Sequence, residues 1–177
     1  MKRAVFLDRD GVINRKAAEG AYVTRWEEFQ FLPGVAEAIS LLNRAGWSVI
    51  VISNQRCVAK GLLTLAGLES IHSKMREALA VEGARIDGIY YCPHDNEPPC
   101  DCRKPLPGML LTAAVEHQID LTSSWMVGDA ESDMAAGKSA GCRTLRITET
   151  PPTQGISANC FARTLFDASG KILASAP

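Results

Sequence analysis

The chain has 177 residues, enough for one domain with a hydrophobic core, and its 46% hydrophobic and 22% charged residues are ordinary for a soluble globular protein. The net charge of −1 gives no electrostatic reason to expect nucleic acid or an anionic membrane as the main partner, and we expect neither. No apolar run approaches the roughly 18 residues that span a bilayer, and the first one is too short for a signal peptide, so we predict a cytoplasmic protein.

Short apolar runs alternate with helical patterns along the chain, without an internal repeat or a linker. In chain order the pattern predicts a strand at 4–7, a helix at 34–45, a strand at 47–53, a helix at 64–82, a strand at 86–92, a helix at 107–118, a strand at 125–128, a helix at 132–140, a strand at 143–147 and a surface loop at 148–158. His72 and His117 lie in two of these helices, and we expect them at a helix surface or edge. The alternation is typical of βαβ units, so residues 1–177 are predicted to form a single α/β domain, a Rossmann-like parallel sheet with helices on both faces and no large cap domain.

The first predicted strand ends at two acidic residues, Asp8 and Asp10, which are followed by glycine. Ligands of such sheets bind beyond the carboxyl ends of the strands. One carboxylate at this position can attack phosphorus while the other holds a proton for the leaving oxygen. By itself, however, the Asp-x-Asp-Gly pattern is as typical of a loop that caps the next element.

Three later segments bring further polar residues to the same predicted edge. The hydroxyl of Ser53 and the backbone amides of Ser53 and Asn54 can bind a phosphoryl oxygen, and Lys104 can supply a positive charge. Asp129, with Asp133 one helical turn later, suits a hard cation such as Mg²⁺. Each of these residues alone has an ordinary alternative as a turn, a solvated charge or a helix cap.

The four motifs in this order resemble the haloacid dehalogenase (HAD) superfamily of phosphatases. The resemblance implies that Asp8 is the nucleophile and forms an aspartyl-phosphate. It implies that Asp10 protonates the leaving group and then activates the hydrolytic water. Ser53 and Lys104 would hold the transferring phosphoryl group. Mg²⁺ would sit between Asp8, the backbone carbonyl of Asp10, and Asp129.

The six cysteines are unevenly distributed, because three of them crowd together with a histidine between 92 and 102. Disulfides are not expected in the cytosol, so we interpret this cluster as a metal site. Three thiolates and one imidazole make a closed tetrahedral Zn²⁺ site, which is structural rather than catalytic. Scattered reduced thiols are the alternative. The predicted zinc-binding loop is 92–104, with the ligands Cys92, His94, Cys100 and Cys102.

The runs Gly-Ile-Tyr-Tyr-Cys-Pro-His at 88–94 and Cys-Asp-Cys-Arg-Lys-Pro-Leu-Pro-Gly-Met at 100–109 resemble the D-glycero-D-manno-heptose 1,7-bisphosphate 7-phosphatase family. This resemblance implies a cytoplasmic enzyme that removes the 7-phosphate of a small phosphorylated sugar during ADP-heptose and lipopolysaccharide core synthesis. Asn54 and Arg103 are expected to bind that substrate. The loop at 54–61 differs from the small-residue run of many heptose enzymes, which leaves the roles of Arg56, Cys57 and Lys60 open.

Two other functions stay open. Histidinol-phosphate phosphatases share the zinc loop and are the closest enzymatic alternative. A non-catalytic binding module would use the zinc-stabilised loop to contact a partner, and phosphatase turnover distinguishes that case. Since no large insertion separates the motifs, we expect an open site and a monomer.

Overall fold

One parallel sheet organises the part of the chain that the structure, a computed structural model, describes, namely residues 1–150 and 158–175. Its strands are β1 (Ala4–Leu7), β2 (Ser48–Asn54), β3 (Gly88–Cys92), β4 (Trp125–Gly128), β5 (Arg143–Ile147) and β6 (Cys160–Ala162). They lie in the order β3-β2-β1-β4-β5-β6, and every neighbouring pair is parallel. The strand order reverses direction at β1, which is the centre of the sheet together with β4.

Helices cover both faces of this sheet. They are α1 (Val35–Arg44), α2 (Arg56–Ala59), α3 (Leu65–Val81), α4 (Gly108–His117), α5 (Glu131–Ala140) and α6 (Leu165–Ala174), with short 3-10 turns at Trp26–Glu28 and Leu121–Ser123. Residues of α1, α3 and α6 enter one hydrophobic core, and residues of α4 and α5 enter a second core. The predicted α/β architecture is therefore confirmed. Within the described residues, none of the helices combines the length and the apolar character that a membrane crossing requires.

The first strand shows why a strand inside this sheet is apolar at every position. Val5 and Leu7 belong to one core, whereas Ala4 and Phe6 belong to the other. Successive side chains of a strand point to opposite faces, so a strand with helices on both sides is apolar at every position. All four side chains are fully buried.

The observed elements agree with the predicted ones to within two residues at each end, but two α-helices, one strand and both 3-10 turns were missed. The one-turn helix α2, the three-residue strand β6 and the final helix α6 have no counterpart in the prediction. Residues 151–157 of the loop predicted at 148–158 lie outside the described residues. The surface position expected for His72 is wrong, because this residue of α3 is only 5% exposed.

The topology opens a crevice at the centre of the sheet. β1 and β2 are followed by helices on the face of the first core, whereas β3 and β4 are followed by helices on the face of the second. Because the connections after β1 and β4 run to opposite faces, the carboxyl ends of these two strands stay uncovered by helices. Sheets of this class bind ligands at that position.

Candidate active site

The central crevice brings together most of the site residues that the sequence indicated. Asp8 and Asp10 follow β1, Asp129 follows β4, and Lys104 lies in the loop between β3 and α4. Carboxylate oxygens of Asp8, Asp129 and Asp133 all lie within 4.8 Å of one another. Because like charges at this distance disfavour each other, the cluster requires positive charge nearby.

Lys104 supplies the buried positive charge. Its Nζ lies 2.8 Å from Asp8 Oδ1 and 2.6 Å from Asp133 Oδ1, and it donates to the carbonyl oxygen of Ile52 at 2.9 Å. These three acceptors match the three hydrogens of an ammonium group. Burial of the side chain would lower its pKa, but the two carboxylates outweigh that effect and raise the pKa of Lys104. The side chain is therefore a fixed cation.

Asn54 holds the backbone at Lys104. Its Oδ1 accepts from the Lys104 N–H at 3.0 Å, and its Nδ2 donates to the Lys104 carbonyl at 3.0 Å. The side-chain amide expected to bind substrate is thus engaged in positioning the lysine, and substrate binding by Asn54 stays a prediction. Ser53 is buried, and its Oγ accepts from Gln55 Nε2 at 2.7 Å, which leaves the hydroxyl hydrogen free to donate.

One carboxylate oxygen of Asp8 is held by two donors. Its Oδ1 accepts from the Arg9 backbone N–H at 2.8 Å in addition to its contact with Lys104. Burial raises the pKa of Asp8 to about 7, with Lys104 opposing the rise and Asp133 adding to it. A carboxylate in this environment gains stability in its ionised form from each further cation that approaches it.

Asp10 is the second carboxylate of the motif and has a different environment. Asn14 Nδ2 donates to it at 2.9 Å, Gln55 Nε2 at 3.1 Å, and Arg9 Nη2 lies 3.0 Å from Oδ2. Burial would raise the pKa of Asp10, but the Arg9 guanidinium and these hydrogen bonds hold it below its usual value. The pKa values of Asp8 and Asp10, which lie in the same loop, are therefore shifted in opposite directions.

Asp129 faces Lys16, which was not among the predicted site residues. Lys16 Nζ lies 2.5 Å from Asp129 Oδ2. The other oxygen, Oδ1, is buried and has no hydrogen-bond partner among the described residues. Gly11, at φ +95°, permits this arrangement, because a Cβ there would lie 2.3 Å from Asp129 Oδ2.

The donor set around this cluster fits a magnesium ion. It offers carboxylate oxygens from separate elements, one of them buried without a partner, and hard oxygen ligands are those that Mg²⁺ prefers. The two lysines do not neutralise three carboxylates, so the cluster keeps a net negative charge when all three are ionised. A divalent cation would reverse that sign.

The four predicted zinc ligands also converge. The sulfur of Cys100 lies 3.6 Å from that of Cys92 and 3.5 Å from that of Cys102. His94 Nδ1 lies 3.5 Å from Cys92 Sγ and 3.2 Å from Cys102 Sγ. Zinc–sulfur bonds of about 2.3 Å in a tetrahedron separate the sulfurs by roughly 3.8 Å, so the observed spacing is slightly tighter than a zinc site requires.

Two cavities flank Asn54. One, of about 460 Å³, is bounded by the zinc loop and includes Asp95, Asn96, Arg103 and Lys104 in its lining. The other, of about 210 Å³, lies beside Asp10 and Gln55.

The basic side chains around these cavities differ in how firmly they are engaged. Arg103 donates from Nε to Asn96 at 3.0 Å and from Nη1 to the His94 carbonyl at 3.3 Å. Arg56 is paired with Asp95 at 2.5 Å, and Lys60 Nζ lies 5.2 Å from the centroid of the Tyr22 ring. Of the three, Arg56 alone forms an ion pair among the described residues, so Arg103 and Lys60 are the less firmly neutralised cations.

The residues that hold the acids of the first motif were not predicted from the sequence. Arg9, Asn14 and Gln55 contact Asp10, and His72 contacts Arg9. The signal for His72 was present in the sequence, because helical spacing places it on the face of the buried residues Leu68, Met75 and Leu79 of α3.

Comparisons with known proteins agree with this geometry. Residues 101–149 match a family model described as HAD-hydrolase-like. The D-glycero-beta-D-manno-heptose-1,7-bisphosphate 7-phosphatase of Pseudomonas putida is 41% identical over 145 residues, 82% of each chain. The protein of the same name from Helicobacter pylori is 43% identical over 139 residues, which cover 78% of this chain and 79% of the relative.

A crystal structure of D,D-heptose 1,7-bisphosphate phosphatase from B. bronchiseptica, complexed with magnesium and phosphate, superposes with a TM-score of 0.88 at 35% identity. The match covers 99% of this chain and 100% of that one. The expected resemblance is confirmed over nearly the whole length of the chain. The chain belongs to the D-glycero-beta-D-manno-heptose-1,7-bisphosphate 7-phosphatase family of HAD-type hydrolases.

Proposed function

We propose that this protein removes the 7-phosphate of D-glycero-beta-D-manno-heptose 1,7-bisphosphate through an aspartyl-phosphate on Asp8. The observation that carries the proposal is the pairing of Asp8 with the buried ammonium of Lys104, 2.8 Å away, at the edge where Asp10 and Asp129 meet. Relatives of about 41% identity that bear this substrate in their names support the choice of sugar.

In the first half-reaction an oxygen of Asp8 forms a bond to phosphorus as the bond to the sugar oxygen breaks. Asp10 gives a proton to that leaving oxygen. Lys104, already fixed against Asp8, neutralises charge that develops on the phosphoryl group, and the Ser53 hydroxyl donates to one of its oxygens. In the second half-reaction Asp10 takes a proton from water, which attacks phosphorus and releases inorganic phosphate and free Asp8.

The lowered pKa of Asp10 suits the second half-reaction, in which it must begin as a base. The first half-reaction needs the protonated form. A phosphate group bound beside Asp8 brings negative charge close to Asp10, and negative charge raises the pKa of a neighbouring carboxyl. Substrate binding therefore favours the protonated form of Asp10, and donation of that proton to the leaving oxygen leaves Asp10 as the carboxylate that the second half-reaction requires.

Magnesium would be held by Asp8, the backbone carbonyl of Asp10, and Asp129, and it would supply charge neutralisation for the phosphoryl oxygens. The unpartnered Asp129 Oδ1 supports this assignment. Lys16, which lies against the other oxygen of Asp129, would have to move or share that carboxylate.

We further propose that Cys92, His94, Cys100 and Cys102 hold a structural zinc ion. The loop they fix carries Arg103 and Lys104. The zinc ion would therefore hold Lys104 in position without itself lying in the active site. We also propose, as expected from the sequence, that the enzyme is a monomer and acts in the cytoplasm.

Purified protein should contain about one zinc ion per chain, since structural zinc sites in small domains bind with roughly 10–16 kcal/mol of apparent free energy. Elemental analysis after gel filtration measures this content directly. Cys100→Ser should lower the zinc content and the melting temperature, whereas Cys160→Ser, outside the cluster, serves as the matched control. Zinc-free protein with an unchanged melting temperature would contradict the structural assignment.

Arg103→Ala should lower kcat/KM for the heptose bisphosphate by about 10- to 150-fold, because a charge-assisted contact to a phosphate contributes roughly 1.5–3 kcal/mol. The loss for the corresponding 7-monophosphate should be much smaller. Arg85→Ala is the control, since Arg85 is 70% exposed and pairs with Asp87 far from the crevice. Equal losses for both sugars would refute recognition of a second phosphate by Arg103.

Release of inorganic phosphate from the heptose bisphosphate, measured in parallel with histidinol phosphate, tests the function itself. We expect kcat/KM to favour the bisphosphate. Preference for histidinol phosphate would assign the chain to that reaction instead. A folded, metal-loaded protein that hydrolyses neither ester would favour the binding module.

A further inference from the structure

A buried arginine links the active site to α3. Arg9 is 1% exposed, and leaving the N–H groups of a buried guanidinium without acceptors is costly; Nε has no acceptor among the described residues, so the contacts of Nη1 and Nη2 carry this burial. Among the described residues it has two polar side-chain partners. Nη2 contacts both oxygens of Asp10, at 3.1 and 3.0 Å, and Nη1 lies 3.3 Å from Nε2 of His72.

The partnership fixes the chemical form of His72. An arginine side chain only donates, so Nε2 of His72 must be the acceptor and its proton must be on Nδ1. The ring is buried, with Tyr91 beside it at 5.5 Å between ring centroids. Burial and the charge of Arg9 lower the pKa of His72 to about 3, so the imidazole stays neutral.

A neutral acceptor has a specific electrostatic consequence. It satisfies one end of the guanidinium without cancelling its charge, so that the full positive charge of Arg9 acts on Asp10. A carboxylate in place of His72 would share that charge. The placement of Asp10 between Arg9, Asn14 and Gln55 thus depends on an acceptor that lies on a different element, 63 residues along the chain from Arg9.

We infer that His72 is a positioning residue of the phosphatase, whose neutral ring accepts from Arg9 and thereby fixes the carboxylate of Asp10 for proton transfer. The inference rests on the proposed function for its kinetic part, whereas the contact itself is independent of that function. His72 has no contact with the phosphoryl group in this scheme, so it should affect kcat rather than KM.

Two variants and one matched control test the kinetic part. His72→Leu removes the acceptor and should lower kcat for the sugar phosphate by about 10- to 100-fold with little change in KM. The loss should be smaller for an aryl phosphate, whose leaving oxygen needs less help from Asp10. His72→Gln keeps an acceptor and should recover most of the rate. His117→Leu, in α4 outside the crevice, should behave as wild type.

Nitrogen-15 NMR of the three histidines in wild-type protein tests the contact without any substitution. We expect one ring with a proton on Nδ1 and an unprotonated Nε2 down to pH 5. A proton on His72 Nε2, or a normal titration of this ring, would overturn the inference even if the variants failed to fold. Wild-type kcat in His72→Leu, or equal losses for His72→Leu and His72→Gln with both substrates, would also overturn it. Absence of turnover in wild type would instead refute the proposed function.

Discussion

Asp8→Asn should lower kcat by on the order of 10⁶-fold, as loss of a covalent nucleophile does in other hydrolases. The amide carries no negative charge to attack phosphorus and cannot form the aspartyl-phosphate. Its size matches the carboxyl group, and Asn Oδ1 can still accept from the Arg9 N–H and from Lys104. The fold should therefore survive, and substrate should still bind.

Acid-quench mass spectrometry measures the intermediate directly. Wild type mixed with substrate should show a phosphate-sized mass increase on the peptide that contains Asp8, and the variant should show none. Asp8→Ala is a second variant that deamidation cannot convert back to aspartate. Asp167→Asn, at an exposed position in the first turn of α6, is the matched control and should keep full activity. Wild-type turnover by folded Asp8→Ala would eliminate the proposed nucleophile.

Asp10→Asn should lower kcat by about 10²- to 10⁴-fold, the range typical for loss of a general acid or base. The substitution also disturbs local contacts. Arg9, Asn14 and Gln55 all donate to Asp10, so the new amide group would place a donor against at least one of them. A fall in kcat alone would not separate lost proton transfer from this disturbance.

Dependence on the leaving group separates the two effects. An aryl phosphate releases a weakly basic phenolate that needs little protonation, whereas a sugar alkoxide needs it fully. The ratio of the aryl phosphate rate to the sugar phosphate rate should rise strongly in Asp10→Asn. The Mg²⁺ concentration for half-maximal activity should stay near that of wild type, because the proposed magnesium ligand is the backbone carbonyl of Asp10. A uniform loss across both esters would argue against the acid role.

The sheet was predictable because its strands are buried on both faces. Ala4–Leu7 and Trp125–Gly128 are continuous apolar runs, and this pattern together with the helical patterns between them predicted a parallel sheet. The polar residues after those strands were then predictable as neighbours, because parallel strands present their carboxyl ends to one edge. By contrast, β6 has only three residues, too few for any periodic signal.

The side-chain contacts were beyond sequence reasoning. The clamp of Asn54 on the backbone of Lys104 and the contact between Lys104 and Asp133 join residues 50 and 29 positions apart, and only the packed fold determines such distances. Because its contact with the Lys104 backbone could not be foreseen, Asn54 was expected to bind substrate. His72 was expected at a helix surface or edge, although the spacing of Leu68 and Met75 placed it on the buried face of its helix.

The residues that line the outer part of the 460 Å³ cavity differ from the residues proposed to carry out the reaction. Its outer wall is formed by Asp95, Asn96, Pro99 and Leu106, which lie outside the carboxylate cluster at the ends of β1 and β4. Under the proposed function, substitutions in that wall would alter which phosphate ester binds while Asp8, Asp10 and Lys104 keep their positions. Specificity would then change through single substitutions that leave the reacting groups intact.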